Sequence, residues 1–354
     1  RLRQGAAMTR SPIAALAALA LAGVAPPLSA QAPDSPHGER VQPDIVDGID
    51  YRVYDRAGGR SSLEAVVRAS VGEEVLLVGE EHDDMVGHAF QTRLLERVVD
   101  VIGGGAGAGR PVVLSLEMFE RDVQMVVDEY LDDLVSEDHF LRSARPWDDY
   151  RSRYRPAVEA ARAAGLPVVA ANAPRRYVNR VSREGPESLD ALSERARSYL
   201  PPLPYPGPST TYRAQWDALM SEAMASAPEA DPAPEADPAP EADSMPRSDS
   251  RAYAMSPNVI WAQALWDASM GHAITEALVR NVGGFVIHFA GSFHVERGTG
   301  IPERIADYRP GTRVVTVVMT KVDDVDAWSA EEHGPLADFV VLTRRPTDAD
   351  TASK

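Results

Sequence analysis

Gly79-Glu80-Glu81-His82 and Gly291-Ser292-Phe293-His294 repeat one pattern, Gly-x-x-His, at two places far apart in the chain. Two further polar clusters, Glu117-Met118-Phe119 and Asn172-Ala173-Pro174-Arg175-Arg176, carry groups that a hydrophobic core does not ask for. Neutral imidazoles beside carboxylates are the inventory for a divalent metal, for haem iron, or for general acid and base work. A glycine ahead of each His pair lets backbone or ligand approach closely. If the chain stays extended past Gly79, Glu80 and His82 point to one side and Glu81 to the other, because side chains alternate along a strand. The same alternation puts Ser292 and His294 on a common side.

The other histidines divide by context. His288 sits inside an apolar run and reads as a hydrogen-bonded core residue. His88 starts a helical pattern one to two turns from His82, a spacing that leaves open whether it turns back toward the site. His272 follows Trp266, Asp267 and Met270 on a long helix, a position from which a lid faces the pocket. His37, His139 and His333 lie in polar segments and read as solvated.

All four polar clusters directly follow apolar runs of strand length. The runs are Val75–Val78, Val112–Leu116, Val168–Ala171, Phe285–Ala290, Val314–Met319 and Phe339–Leu342, with a short extended segment at Tyr51–Tyr54 before them. Each run is continuous, not alternating, as in strands buried on both faces of a parallel sheet. Between them lie helical stripes. Phe90, Leu94, Leu95, Val98 and Val99 form one that stops at Gly103–Gly105, and Val123, Val126, Val127, Tyr130, Leu131 and Leu134 form another. Ala157–Ala164 leads through Gly165 and Pro167 into the next strand. This rhythm predicts an α/β fold with a mostly parallel sheet and helices on both faces. From about 179 to 280 the rhythm breaks into a Pro-rich loop, helices near Tyr212–Ala225 and Pro257–Arg280, and an acidic Ala-Pro-Glu-Ala-Asp-Pro repeat. That stretch predicts a helical cap over the C-terminal ends of the strands, where open parallel sheets bind ligands. The strand-end rule therefore gathers Gly79, Glu80, His82, Glu117, Asn172, Arg175, Gly291 and His294 around one site, with His272 above it.

Composition narrows the class of partner. A formal charge of −17 over 354 residues argues against nucleic acid or an anionic membrane surface, both of which demand clustered cations. The absence of cysteine excludes disulfide scaffolds, thiolate metal sites and a lipid anchor on an N-terminal cysteine. The first apolar run, Ile13–Val24, is too short to span a membrane, so no transmembrane helix is expected. Following Met8, Thr9 and Arg10 and preceding small residues at 28–32, it has the form of a secretory signal. The reading is an upstream extension and signal peptide at 1–32, a polar segment at 33–50 and an α/β domain at 51–345. The cap near 179–280 holds a disordered acidic Pro-rich insertion at 226–250, and a tail covers 346–354.

Five segments taken together resemble the ChaN-type haem-binding uptake family, within the superfamily that includes TIKI and TraB proteins and the erythromycin esterases. They are Val-Gly-Glu-Glu-His (78–82), Ser-Leu-Glu-Met-Phe (115–119), Ala-Asn-Ala-Pro-Arg (171–175), Gln263–Met270 with its Trp-Asp, and Ala-Gly-Ser-Phe-His (290–294) before Gly300-Ile301-Pro302. The resemblance implies an α/β core with a helical cap and export to the periplasm or cell envelope. It also implies haem binding in the service of iron acquisition, with room for a homodimer that holds the cofactor between subunits. The positions it carries over are Gly79, Glu80, His82, Glu117 and His294. Family members tend to be lipoproteins, and this chain lacks the lipid-bearing cysteine. The family association of ferric haem with tyrosine makes Tyr177, Tyr205, Tyr212 and Tyr253 candidates for an axial ligand. The wider superfamily implies an alternative, a metal-dependent hydrolase of peptides or esters. There His82, Glu117 and His294 would hold Zn, Mn or Co, and Glu80 or Glu81 would activate water.

Overall fold

A computed structural model describes residues 42–104, 109–225 and 256–346. The signal segment 1–32, residues 33–41, the acidic insertion, His37, Tyr253 and the tail from 347 lie outside the described residues. Among the described residues, every apolar run of strand length, with the extended segment at Tyr51–Tyr54, becomes a strand of one seven-stranded sheet. The strands are β1 (Tyr51–Asp55), β2 (Val75–Glu80), β3 (Val112–Glu120), β4 (Val168–Asn172), β5 (Phe285–Gly291), β6 (Val314–Val322) and β7 (Phe339–Arg344). Their order is β1-β7-β6-β2-β5-β3-β4, parallel throughout except where β1 pairs antiparallel with β7. β5 comes late in the chain but inserts between β2 and β3. That crossover brings the two Gly-x-x-His segments side by side, with Glu80 level with Gly291.

The helices are α1 (Leu63–Ser70), α2 (Met85–Val101), α3 (Gln124–Leu131), α4 (Glu137–Ala144), α5 (Tyr150–Arg153), α6 (Arg155–Ala163), α7 (Arg175–Glu184), α8 (Glu194–Arg197), α9 (Thr210–Ala225), α10 (Val259–Arg280) and α11 (Ile301–Tyr308). Alternation along β2 sends Leu76 and Val78 to one face, where they pack with Phe90, Leu94, Leu95 and Val98 of α2. Val75 and Leu77 go to the other face, against Met270, Ala273, Ile274 and Ala277 of α10. Both faces are thus dry, which is why the strands read as unbroken apolar runs. α2 starts where the Asp84 side chain accepts the Val86 N–H at 3.0 Å, and the chain leaves it near Gly104 at φ 72°. The second stripe ends sooner than its spacing predicts. α3 closes at Leu131 because Asp133 turns to φ 59°, and Leu134 is left in solvent.

The cap is built by α7, α8, α9 and the first half of α10, where Val178, Val181, Leu189, Leu200 and Tyr205 pack on Ala262, Leu265 and Ala268. α10, about 33 Å long at about 1.5 Å per residue, then continues into the layer on the sheet face. It belongs to cap and core together, and it runs across the strand ends. Among the described residues no helix is long and apolar enough to cross a membrane.

Candidate functional site

The strand ends of β2, β5, β3 and β4 open onto a cavity of about 400 Å³, roofed by α10 and by the Trp147 loop. Its walls are His82 from beyond β2, Glu117, Met118 and Glu120 from β3, and Asn172, Ala173 and Arg175 from the β4–α7 junction. Gln263 and Trp266 of α10 and His294 from the turn after β5 complete them. A second cavity of about 740 Å³ adjoins it, sharing Met118, Glu120, Trp147 and Arg175.

His294 does not continue the strand. Residues Ser292–His294 form a 3-10 turn, so the extended alternation anticipated for Ser292 and His294 gives way to a tight reversal. The turn is admitted by Gly79 next door, where a Cβ would stand 2.9 Å from the Ser292 Cα. Gly79 is therefore a packing residue under the site and not part of its wall. In its place beneath the cavity, His294 Nδ1 meets Asp267 Oδ1 of α10 at 2.7 Å, while Nε2 faces Glu117 Oε1 at 3.7 Å. Glu117 is fixed in turn by the Gly291 N–H, which donates to Oε2 at 2.7 Å. Burial alone disfavours an imidazolium, but the carboxylates of Asp267 and Glu117 outweigh it and push His294 up to about 9. The Tyr212 hydroxyl of α9 lies beside Asp267, and burial and that carboxylate both hold the phenol well above its ordinary range.

His82 is held in the same manner from the other side. Its Nδ1 meets Glu80 Oε1 at 3.0 Å, and its ring stands edge-on to Trp147 with centroids 4.8 Å apart. Glu80 is sealed below it, accepting from Tyr154 Oη at 2.8 Å and from Gln91 Nε2 at 2.5 Å. Burial opposes the Glu80 charge, yet His88 and the hydrogen bonds from His82 and Gln91 overcome it and lower the carboxyl. Burial likewise pulls His82 down, and the Glu80 hydrogen bond with the Glu117 and Glu80 charges more than restores it, so it ends raised. Gly291 makes this proximity feasible, since a Cβ there would lie 3.1 Å from His82 Cε1. The two imidazoles differ in access: the His82 side chain is 49% exposed and that of His294 only 8%.

Not every residue singled out by spacing reaches the cavity. Glu81 turns away, as strand alternation requires, and accepts from Thr320 Oγ1 and the Lys321 N–H of β6 at 3.0 and 2.8 Å. It caps a neighbouring strand and cannot serve as a base here, while Glu80 is committed to holding His82. His272 faces a separate cavity of about 350 Å³ with Tyr308 and Arg309, in a cluster with Arg121 and Glu276. Burial lowers its pKa there, and it is no roof for the site. Asn172 lines the wall, but its Oδ1 accepts the Ala173 N–H at 2.9 Å. His88 lies wholly under the site, with Nε2 2.9 Å from the His82 carbonyl. His288 is buried in β5 as anticipated, with Nδ1 2.8 Å from Ser115 Oγ. His139 is exposed, but His333 is buried, accepting the Ser329 N–H and packing on Trp328.

Of the tyrosines offered as axial ligands, the three among the described residues stay outside the cavity. Tyr177 lies under the Arg176 guanidinium, and Tyr205 donates to the Trp261 carbonyl at 2.9 Å. Tyr212 is buried behind Asp267, and none of the three lines the cavity. Asp267, Tyr154, Trp147, Gln263, Trp266 and Glu120 were not assigned a place at the site by spacing; for Asp267 the available signal was a charge in a helix apolar all round. Among the described residues, no group of three or more His, Asp or Glu side chains stands in a geometry to hold a metal ion. The set His82, Glu117 and His294 is thus not assembled as a metal centre.

Residues 66–305 match the family described as haem-binding uptake, Tiki superfamily, ChaN. The solved structure of ChaN of Campylobacter jejuni, described as showing cofacial haem binding, aligns with a TM-score of 0.59 at 15% identity, covering 85% of this chain and 100% of that one. The type III effector HopBA1 aligns with a TM-score of 0.39 at 15% identity over 85% of this chain and 100% of its own. The erythromycin esterase EreC in its open conformation gives 0.39 at 11% identity, over 77% of each chain. No curated protein matches.

Proposed function

The chain belongs to the ChaN haem-binding uptake family of the Tiki superfamily, and we propose that it is an exported haem-binding protein of the periplasm or cell envelope that serves haem or iron acquisition. The observation that carries this reading is the cleft itself. An accessible imidazole, His82, stands at the inner end of two adjoining cavities that share Met118 and Trp147. Sites for flat organic ligands are concave, mostly apolar and equipped with a few fixed polar groups, at volumes of roughly 300–1,000 Å³.

The donor set fits the group in chemistry. With Nδ1 engaged by Glu80, His82 has Nε2 left to offer, and the buried carboxylate behind it fixes the ring and makes it a stronger donor. His294 is committed between Asp267 and Glu117, which leaves it to shape the charge of the inner wall. His82 would hold the haem iron through Nε2, and the group would supply the ferric centre that such a donor binds. Met118, Trp147 and Trp266 offer the apolar and aromatic surfaces that a ring packs against.

The test is a titration of the purified mature chain with ferric haem. A saturable Soret shift that His82→Ala abolishes, and that Tyr177→Phe leaves intact, is the expected result. A flat spectrum overturns the reading, and bound Zn, Mn or Co with chelator-sensitive ester turnover would replace it with the hydrolase alternative. Export is checked by sequencing the N-terminus of the protein recovered from the envelope fraction, which should begin near residue 31 or 33.

A further inference from the structure

The outer cavity is walled differently from the inner one. Glu117 lines the inner cavity, Glu120 and Arg175 line both where they join, and Arg142, Arg145 and Arg176 line the outer one with Asp148. On a chain with a formal charge of −17 this is a local reversal of sign. Two of the four arginines are spoken for. Arg145 pairs with Glu120 at 3.0 Å and Asp122 at 2.8 Å, and Arg176 pairs with the other oxygen of Asp122 at 2.6 Å. Arg142 of α4 and Arg175 at the first turn of α7 are exposed and engage no carboxylate among the described residues. α7 also begins at this wall on Pro174, with no side-chain cap, so the positive end of its dipole adds to the field.

A ligand lying across both cavities is therefore sorted by charge along its length. Carboxylates are repelled by Glu117 at the inner end and drawn toward two guanidiniums, Arg175 where the cavities join and Arg142 in the outer one, whose forked donors match them. We propose that Arg142 and Arg175 form an anion subsite that takes the two propionate carboxylates of a porphyrin, fixing its orientation with the propionate edge outward and the opposite edge beneath α10. This inference rests on the haem reading above and goes further by assigning the ligand's charged edge to named residues.

The experiment compares ferric haem with its dimethyl ester, both delivered from the same neutral micelles, on the full mature chain and on Arg142→Ala/Arg175→Ala. The wild type should bind haem more tightly than the diester by about tenfold or more, the scale of charge-assisted hydrogen bonds to a carboxylate. The double variant should lose that margin, binding haem no more tightly than the diester, and added salt should weaken the wild-type haem complex more than the diester complex. Both positions are exposed, so the fold should survive; a melting curve checks this, and the single variants carry the test if the double variant melts early. If haem binds but esterification and both substitutions are without effect, the anion subsite is wrong and the haem reading stands. If the wild type binds neither porphyrin, both fall.

Discussion

Replacing Asp267 by Asn asks whether His294 is held as a cation by the fold. Asn keeps an acceptor where Oδ1 meets Nδ1 at 2.7 Å but removes the charge. Among the described residues, five groups face this imidazole from different elements: Asp267 on α10, Glu117 on β3, His288 on β5, His82 beyond β2, and Tyr212 of α9 behind the aspartate. At about 1.4 kcal/mol for each tenfold change in proton affinity, the rise from 6.5 to about 9 is worth at most about 3.5 kcal/mol. The sign follows from linkage: the folded state binds the proton more tightly, so the contribution is complete below pH 6.5 and is lost as pH rises through 9. Glu117 stays in place at 3.7 Å, so Asp267→Asn should cost roughly 2 kcal/mol at pH 6. The cost should shrink steadily toward pH 9.5. Urea unfolding of both proteins across that range reads the difference directly, and the His294 ring resonances give its titration midpoint. A cost that is equal at both ends, or a wild-type His294 titrating near 6.5, would refute the cationic reading.

The two glycines at the strand ends should separate stability from binding. Gly79→Ala drives a Cβ to 2.9 Å from the Ser292 Cα, a backbone atom that cannot step aside, and should cost about 1–3 kcal/mol in thermal unfolding. Gly291→Ala presses on the His82 ring at 3.1 Å and only touches Glu117 Oε2 at 3.7 Å, so the melting point should hardly move while haem affinity falls as His82 is displaced. His288 predicts the opposite pH trend from His294. Burial, aided by the nearby His294 charge, lowers it to about 3, so the fold resists a proton that the unfolded chain accepts at 6.5. Stability should fall as pH drops from 6.5 toward 3, and His288→Asn should flatten that acid limb in urea midpoints even if it is less stable at pH 7.

The sheet was legible because its strands are buried on both faces, and burial on both faces writes itself as an unbroken apolar run. Strand ends were legible for the same reason: Glu80, Glu117, Asn172 and Gly291 mark where apolar character stops. Alternation also placed Glu81 correctly away from His82. What spacing could not supply was rotation about α10. That helix is apolar nearly all round, so its sequence carries no stripe by which to tell the face over the site from the face beyond it. Asp267 and His272 are separated by five residues, about 140° around the axis at about 100° per residue. One therefore reaches His294 while the other meets Arg121 and Glu276. The 3-10 turn at Ser292–His294 was hidden similarly, since the room for it comes from Gly79 on another strand.

The two Gly-x-x-His segments look equivalent as strings, and the fold makes them unequal. Each histidine is backed by a buried carboxylate, but the carboxylates come from different places. Glu80, the last residue of β2, stands two residues before His82 and holds the ring from below, which leaves the other edge open to the cleft. Asp267 comes from the overlying α10 and, with Glu117 across from it, encloses His294 on both nitrogens. Side-chain exposures of 49% and 8% express the same difference. An open imidazole can take a ligand without breaking any existing contact, whereas an enclosed one must first give up an ion pair worth several kcal/mol when broken. The ligand-binding role therefore falls to His82. His294 instead ties α10, β3 and the turn after β5 into one wall, so its loss should disturb the shape of the cleft before it disturbs any bond to the ligand.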